Sequence, residues 1–393
     1  MATTVELARE LKLKAELLTE GVTAEAEAIE GLGKEYKEQC HGLFGWDFEN
    51  HVGQTLPDDF RLLPGGTVVQ FRQNSKSRFC VSKTADGLVL REANEVLCRV
   101  EWLPRPAFYE RTTTDGTPMT KVAQIGGEDS FFVCYNNYCS HWQNGKQCLF
   151  CNLVTTKQTY RSVLTRKKLN QIGETAAAAF SEGVVRHCLL TGGCFPGENE
   201  TDLVVEILHT LRNYLGVSDV PGCVLASPPR DLREIERIRE AGITGIGYSL
   251  EIWNRDMFKA ICPGKEEHPG YEKFLDSLEY AVGIFGRGNV FCALVTGIEP
   301  REYLLEGVEY LAAKGITSLC FIWSPVPGSR LEGHRNPTAE WYLNTTRRVV
   351  DIFEKNALPL NENIHCYRCD GNTLFHDEAR LRSLSSATNK TAG

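Results

Sequence analysis

The stretch CSHWQNGKQCLFC carries three thiols, Cys139, Cys148 and Cys151, with eight residues in the first gap, two in the second, and Phe150 directly before the last. Thiolates grouped this way serve as zinc ligands, as iron–sulfur ligands, or as ordinary loop cysteines. A structural zinc ion wants a fourth Cys or His, which His141, Cys134 or the distant pair Cys366 and Cys369 can supply. A [4Fe-4S] cube held by three thiolates leaves one iron open to a substrate or cofactor. A second group, IHCYRCDGN, sets Cys366 and Cys369 in a C-x2-C beside His365. Two thiols do not complete a site. They can join an auxiliary metal or cluster with ligands from elsewhere, act as a redox dithiol, or stand as plain loop residues. Cys40, Cys80 and Cys98 are partners for them only if the N-terminal region folds back over the rest.

The elements that must position these thiols are legible as an alternation. From about residue 130 the apolar runs SFFVCY, RHCLLTGG, GCVLAS, ITGIGYSLE, NVFCALVTG and ITSLCFIWS alternate with helical patterns over 172–183, 199–215, 230–240, 269–285, 300–314 and 337–355. Strands apolar along their whole length imply a sheet covered on both faces, and helical crossovers imply parallel pairing. The expected class is α/β, a partial (β/α)6 barrel over 130–357. Such barrels work at the C-terminal ends of their strands, and the thiol loop directly succeeds the first strand. Residues 1–59 read as a helical segment, with Leu7, Leu11, Leu17 and Leu18 among charges. Residues 60–129 read as a small β-rich domain of short runs, from GTVVQF to KVAQIGG, with Asp-Gly in TTTDGTP as a hairpin turn. Residues 358–393 form an extension that carries the C-x2-C and ends in SLSSATNKTAG, expected as a mobile tail.

Composition narrows the function class. Of the 393 residues 42% are hydrophobic and 24% charged, as in ordinary globular proteins, and no apolar run is long enough to span a membrane. A net charge of −8 without a long Lys/Arg stripe argues against nucleic acid as a partner, and TRKK at 165–168 reads as a solvated patch. Fifteen unevenly spaced cysteines do not form a disulfide scaffold. The N-terminus has no apolar leader, so a reducing, cytoplasmic location is expected.

The segment 130–331, about half the chain, resembles the radical S-adenosylmethionine (SAM) enzymes, and within them the biotin synthase and lipoyl synthase-like branch. The marks are the three-Cys loop with an aromatic before its last Cys, and then the six-fold alternation. The spacing C-x8-C-x2-C departs from the commonest C-x3-C-x2-C, and a C-x13-C-x2-C reading from Cys134 stays open beside the preferred Cys139. Further stretches stand at the ends of later strands. The resemblance implies that Gly192 and Gly193 of LLTGGC approach the methionine amino group, with Cys194 where the family has Glu, so that Glu198 or Glu200 helps instead. It implies that Ser249 and Glu251 of SLEIW bind the ribose and carboxylate, that Lys265 of FKAICPGK pairs with the carboxylate, and that Gly297 and Glu299 of VTGIEP lie near the adenosine. Pro327 of WSPVPGSRL would cradle adenine. Each has a plainer reading: a turn glycine, a solvated lysine, a helix cap for Glu299, a Pro-Gly turn.

As the resemblance has it, Cys139, Cys148 and Cys151 hold a [4Fe-4S] cluster, SAM is the cofactor, and one-electron cleavage yields a 5′-deoxyadenosyl radical that abstracts hydrogen from a small molecule. An electron donor such as flavodoxin or ferredoxin is then needed. Tyr248, Trp323 and Arg330 adjoin strand ends and are the candidates for substrate contact. Rearrangement, fragmentation, sulfur insertion and methylation are all compatible outcomes once hydrogen has been abstracted. Two rivals stand beside this reading: a zinc-dependent barrel hydrolase and a non-catalytic iron–sulfur scaffold or electron carrier.

Overall fold

In the computed structural model, residues 2–40, 55–159, 164–194, 200–362, 369 and 371–391 are described. The chain opens with helix α1 (Thr4–Glu20), begun by a capping box in which Thr3 and Glu6 satisfy each other's backbone donors. Gly21 ends it, because a Cβ there would stand 2.7 Å from the Arg72 carbonyl. The rest of the expected N-terminal helical segment, where described, is turns, isolated bridges and strand rather than helix. Then come β1 (Thr23–Ala24), β2 (Asp59–Leu62), β3 (Thr67–Gln70), β4 (Phe79–Thr84), β5 (Gly87–Glu92) and β6 (Glu95–Trp102), a sheet in the order β1-β4-β5-β6-β2-β3. Its core is Phe60, Phe71 and Trp102, packed edge to face at 5.8–6.3 Å.

The second sheet is the barrel. It comprises β7 (Gln124–Gly126), β8 (Ser130–Asn136), β9 (His187–Gly192), β10 (Val220–Leu225), β11 (Ile243–Gly247), β12 (Val290–Thr296) and β13 (Ile316–Ile322), paired in chain order. Strands β8 to β13 are all parallel, six as expected from the alternation. Helices α2 (Leu153–Thr159), α3 (Leu169–Ser181), α4 (Glu200–Leu215), α5 (Glu234–Glu240), α6 (Arg255–Ile261), α7 (Pro263–Glu267), α8 (Tyr271–Phe285) and α9 (Arg301–Lys314) make the crossovers. Helix α10 (Ala339–Lys355) comes after β13. The fold is thus a mixed α/β partial barrel.

Two expectations change. KVAQIGG reads as part of the small β-rich domain, yet β7 pairs antiparallel with β8 as the barrel's edge, because a short turn at Gly127 (φ +56°) folds it back. The expected mobile tail is helix α11 (Phe375–Thr391), held where its first turns bury Phe375 and where Asp377 Oδ2 takes Lys14 Nζ of α1 at 2.6 Å. The low-complexity end misleads because the anchoring residues lie just before it.

A sheet of six parallel strands does not close, and the small sheet fills the gap from both edges. At the β7 edge the buried Lys37 ammonium donates to Asp59 Oδ2 (3.0 Å), Ile125 O (2.9 Å) and Gly127 O (2.7 Å) and lies 3.3 Å from Asp58. At the β13 edge the Arg72 guanidinium donates to Leu18 O and Ser324 Oγ, both at 2.6 Å, and to Ile322 O at 3.2 Å. Between them runs a strap: Gln70 N–H donates to Gly371 O (2.8 Å) and Ile322 N–H to Asn372 O (3.2 Å). Among the described residues no helix is long and apolar enough to cross a membrane.

Candidate active site

The lumen enclosed this way is a cavity of about 450 Å³, within the range of small-molecule sites. Cys139, Cys148, Phe150 and Cys151 line it at the C-terminal end of β8. Cys134 does not. It is buried within β8 with its Sγ donating to Asn136 O.

The thiol loop is clamped from three sides. Asn136 Nδ2 donates to Tyr138 O (3.0 Å) and to Gly193 O (3.3 Å), and Ser140 gives both its N–H (2.8 Å) and its hydroxyl (3.1 Å) to Cys194 O. Gly193 makes that approach achievable, since a Cβ on it would lie 2.1 Å from Tyr138 O. From a second side Gly264 N–H donates to Lys146 O (2.9 Å) and Leu149 N–H to Ile261 O (2.9 Å), docking the α6–α7 corner on the loop. From the third, Asn152 Nδ2 donates to Pro327 O (2.9 Å) and Thr155 Oγ1 to Gly328 O (3.1 Å). Within the loop Cys151 N–H returns to Cys148 O, and Leu153 N–H points at Cys151 Sγ, 3.5 Å away.

The electrostatics of the thiols differ. A hydrogen bond from the Cys262 thiol lowers the pKa of Cys148 against the opposing effect of burial, and the Lys265 charge assists. Burial pushes Cys139 and Cys151 up, and the charge of Cys148 adds to it at both. A metal centre with its own positive charge reverses that penalty. Cys262, fully buried before the Pro-Gly of FKAICPGK, is a neighbour of the site that sequence reasoning missed.

Ser249, Glu251 and Lys265 share the cavity wall. Glu251 is a non-glycine residue at φ +74°, a strained conformation fixed by its backbone bonds to β12, Glu251 N–H to Ala293 O (2.9 Å) and Val295 N–H to Glu251 O (2.8 Å). Lys265 Nζ donates to Glu251 Oε1 (2.9 Å) and Ser249 O (2.6 Å). Burial pulls this ammonium's pKa down, but Glu251 and the nearby thiols outweigh it and hold it above its ordinary value. Lys265 thus meets a protein carboxylate in this structure.

Gly192, Gly193, Cys194 and Trp323 also line the cavity, and the Trp323 indole N–H is buried without a protein acceptor. Other expected contacts lie elsewhere. Glu299 turns away: its two oxygens accept Trp253 N–H (2.9 Å) and Asn254 N–H (2.8 Å), so it braces the loop after β11, and burial raises its pKa. It does not cap α9, whose N-cap is Pro300. Gly297 (φ +112°) packs under the Tyr342 hydroxyl. Tyr248 is buried outside the cavity, Arg330 is exposed, and Pro327 acts through its carbonyl on Asn152. Glu200 accepts from Tyr135 Oη (2.6 Å) and Ser227 N–H (2.9 Å) rather than facing the lumen. Glu198, His365 and Cys366 lie outside the described residues.

The donor set distinguishes two metal chemistries. A single zinc ion with bonds of about 2.3 Å brings its sulfurs to roughly 3.8 Å from one another. Among the described residues only Asp129, His187 and Cys369 gather three ligand atoms within 4.8 Å, and the three loop thiols do not. They border one cavity without all three sulfurs lying within 4.8 Å of one another, an arrangement that a multi-iron cluster accommodates.

Comparison with known proteins gives the same direction. Residues 144–328 match the radical SAM superfamily model, a span that includes Cys148 and Cys151 and starts after Cys139. The chain is 24% identical over 299 residues to bacteriochlorophyllide c C-7(1)-hydroxylase of Chlorobaculum limnaeum, covering 72% of this chain and 74% of that protein. It is 26% identical over 235 residues to biotin synthase of Sulfurovum sp. (strain NBC37-1), covering 58% and 76%. Among solved structures, methylornithine synthase aligns with a TM-score of 0.42 at 16% identity over 65% of this chain and 78% of that one.

Proposed function

Residues 144–328 being a radical SAM domain and the chain a radical SAM enzyme, we propose that Cys139, Cys148 and Cys151 hold its [4Fe-4S] cluster and that the wall around Glu251 receives SAM. When bound, the cluster supplies the single electron that cleaves SAM to a 5′-deoxyadenosyl radical, which takes a hydrogen atom from a small organic substrate. The observation that carries this assignment is the thiol trio bordering one cavity at the C-terminal end of β8.

The chain's own residues then have distinct tasks. Cys262 and Lys265 favour the thiolate at Cys148. Gly193 lets the end of β9 press against the loop, so that the Ser140 N–H and hydroxyl both reach Cys194 O. Lys265 fixes the Glu251 carboxylate, leaving Glu251 Oε2 to accept from an amino or hydroxyl group of SAM. Phe150, Phe321 and Val326 give an apolar wall that keeps water from a reactive carbon. The small sheet and the strap wall the lumen with Gln70 and Arg72 and close the open side of the barrel. A low-potential donor such as flavodoxin or ferredoxin is the reductant, in a reducing compartment; none of the described cysteines forms a disulfide.

The test is reductive cleavage. Anaerobically reconstituted protein with SAM and dithionite is expected to form 5′-deoxyadenosine, and Cys148→Ala is expected to lose both cluster absorbance and product. Cleavage that survives Cys148→Ala overturns the ligand assignment. A wild-type protein that loads zinc at the loop, stays colourless and leaves SAM intact overturns the assignment as a whole.

A further inference from the structure

The end of the cavity away from the thiol loop holds a second group of metal-ligating side chains. Asp129 immediately precedes β8 and His187 opens β9, so both stand at the N-terminal ends of neighbouring parallel strands, where Ser130 pairs with His187. Cys369 reaches them from the C-terminal extension, just before the strap that binds Gln70 and β13. Its Sγ lies 2.8 Å from Asp129 Oδ1 and 3.3 Å from His187 Nε2, and His187 Nδ1 is 3.9 Å from Asp129 Oδ1. One ligand atom from each falls within 4.8 Å of the others. Asp129 and His187 are 6% and 2% exposed.

Thiolate, imidazole and carboxylate are the three donor types that zinc accepts. Bonds of roughly 2.0–2.3 Å in tetrahedral geometry place ligand atoms about 3.3–3.8 Å apart. With one ligand atom from each residue, the thiol lies 2.8 Å from the carboxylate and 3.3 Å from His187 Nε2, and all three atoms fall within 4.8 Å, so small side-chain shifts admit an ion. The second oxygen of Asp129 is already fixed by Arg186 Nε at 2.7 Å, the outer-sphere support that orients a ligating carboxylate. The half-buried Cys369 thiol here donates to a buried carboxylate, and a divalent cation between them would take the place of that proton. Five steps along β9 separate His187 from Gly192, about 16 Å at roughly 3.3 Å per residue, so this group and the thiol loop face each other down one lumen.

We propose that Asp129, His187 and Cys369 form a mononuclear zinc site on the cavity floor, as its three ligands among the described residues. His187 and Cys369 both line the cavity, which leaves the fourth position to water or to an oxygen donor of the substrate. The site stands on its own geometry and does not depend on what the thiol loop binds.

The test uses the full chain with Cys139→Ser, Cys148→Ser and Cys151→Ser, which removes the competing thiols, titrated with Co²⁺. One equivalent per chain is expected, with a thiolate-to-cobalt charge-transfer band and d–d bands of tetrahedral intensity. Adding Cys369→Ser is expected to abolish the charge-transfer band. Adding His187→Ala is expected to weaken binding by more than the ~10–100-fold that loss of an outer-sphere partner costs. Absence of stoichiometric binding, or a band that survives Cys369→Ser, overturns the site. Should thermal melting show the triple variant unfolded, zinc and iron are measured on reconstituted wild type and Cys369→Ser after dialysis against buffered zinc. One zinc per chain in wild type, lost in the variant while its iron is retained, supports the site. Wild type without zinc, or a variant that keeps it, overturns it.

Discussion

Replacing Gly193 with alanine adds one methyl group at the point where the end of β9 meets the thiol loop. Its φ is not in the left-handed region, so the backbone itself accepts alanine, and the effect comes from contact alone. The new Cβ would lie 2.1 Å from Tyr138 O, 2.7 Å from Tyr138 C and 3.0 Å from Cys139 Cβ. Two of these are backbone atoms, so no rotamer change relieves the clash. To restore a tolerable 3.0 Å the loop must retreat by about 0.9 Å (3.0 − 2.1). That movement pulls on the bonds from Asn136 to Tyr138 O and from Ser140 to Cys194 O, the clamps that aim Cys139. Overpacking of this kind costs about 1–3 kcal/mol, too little to unfold the barrel. A misplacement near 1 Å at a reacting centre costs on the order of 100-fold in rate. Gly193→Ala is therefore expected to melt near wild type while forming 5′-deoxyadenosine about 100-fold more slowly in a single-turnover assay with SAM and dithionite. Gly283→Ala is the matched control. It adds the same methyl inside α8 with nothing within 4 Å, and is expected to gain about 0.5–1 kcal/mol with unchanged cleavage. A Gly193→Ala protein that cleaves SAM at the wild-type rate refutes the reasoning that this glycine positions the loop.

Two further predictions concern the seal between the sheets. Lys37→Met leaves Asp58, Asp59 and the carbonyls of Ile125 and Gly127 buried without their cation, and is expected to lower unfolding free energy by roughly 3–5 kcal/mol in denaturant titration; a loss below about 1 kcal/mol would show the pair to be dispensable. Asp58 is pushed up to about 7 by burial and by its neighbour Asp59. The folded protein then holds a proton between about pH 4 and 7 that the unfolded chain releases, so stability falls as pH rises through that window. Asp58→Asn is expected to flatten that slope, and an unchanged pH profile contradicts the assignment.

The barrel was legible because each strand is apolar along its length and each crossover carries a helical pattern, two signals that agree over six repeats. That the thiol loop borders the cavity was legible from its place directly after the first strand. Glu299, Gly297 and Tyr248 stand at strand ends, but successive residues of an extended chain point to opposite sides, so an offset of one exchanges lumen for packing. Glu251 reaches the cavity only through a positive φ that no sequence pattern announces. Cys262, Asp129 and His187 were illegible for a different reason. The C-x2-C marks Cys369 as a candidate ligand, but Asp129 and His187 lie 240 and 182 positions from it, and each alone reads as a bland buried residue.

The way the barrel closes links its two ends. Parallel strands β8 to β13 leave an edge whose backbone groups need partners, and at β13 the strap supplies one through Asn372. The same strap delivers Cys369 to the cavity floor, two residues before its bond to Gln70. An ion bound there would tie the C-terminal extension to β8 and β9, while Arg72 ties the small sheet to β13 and to the carbonyl end of α1. Sealing the lumen and forming the floor site are therefore one structural act. On the proposed assignments, a radical generated at the thiol end would be enclosed by chain segments that the opposite end locks in place.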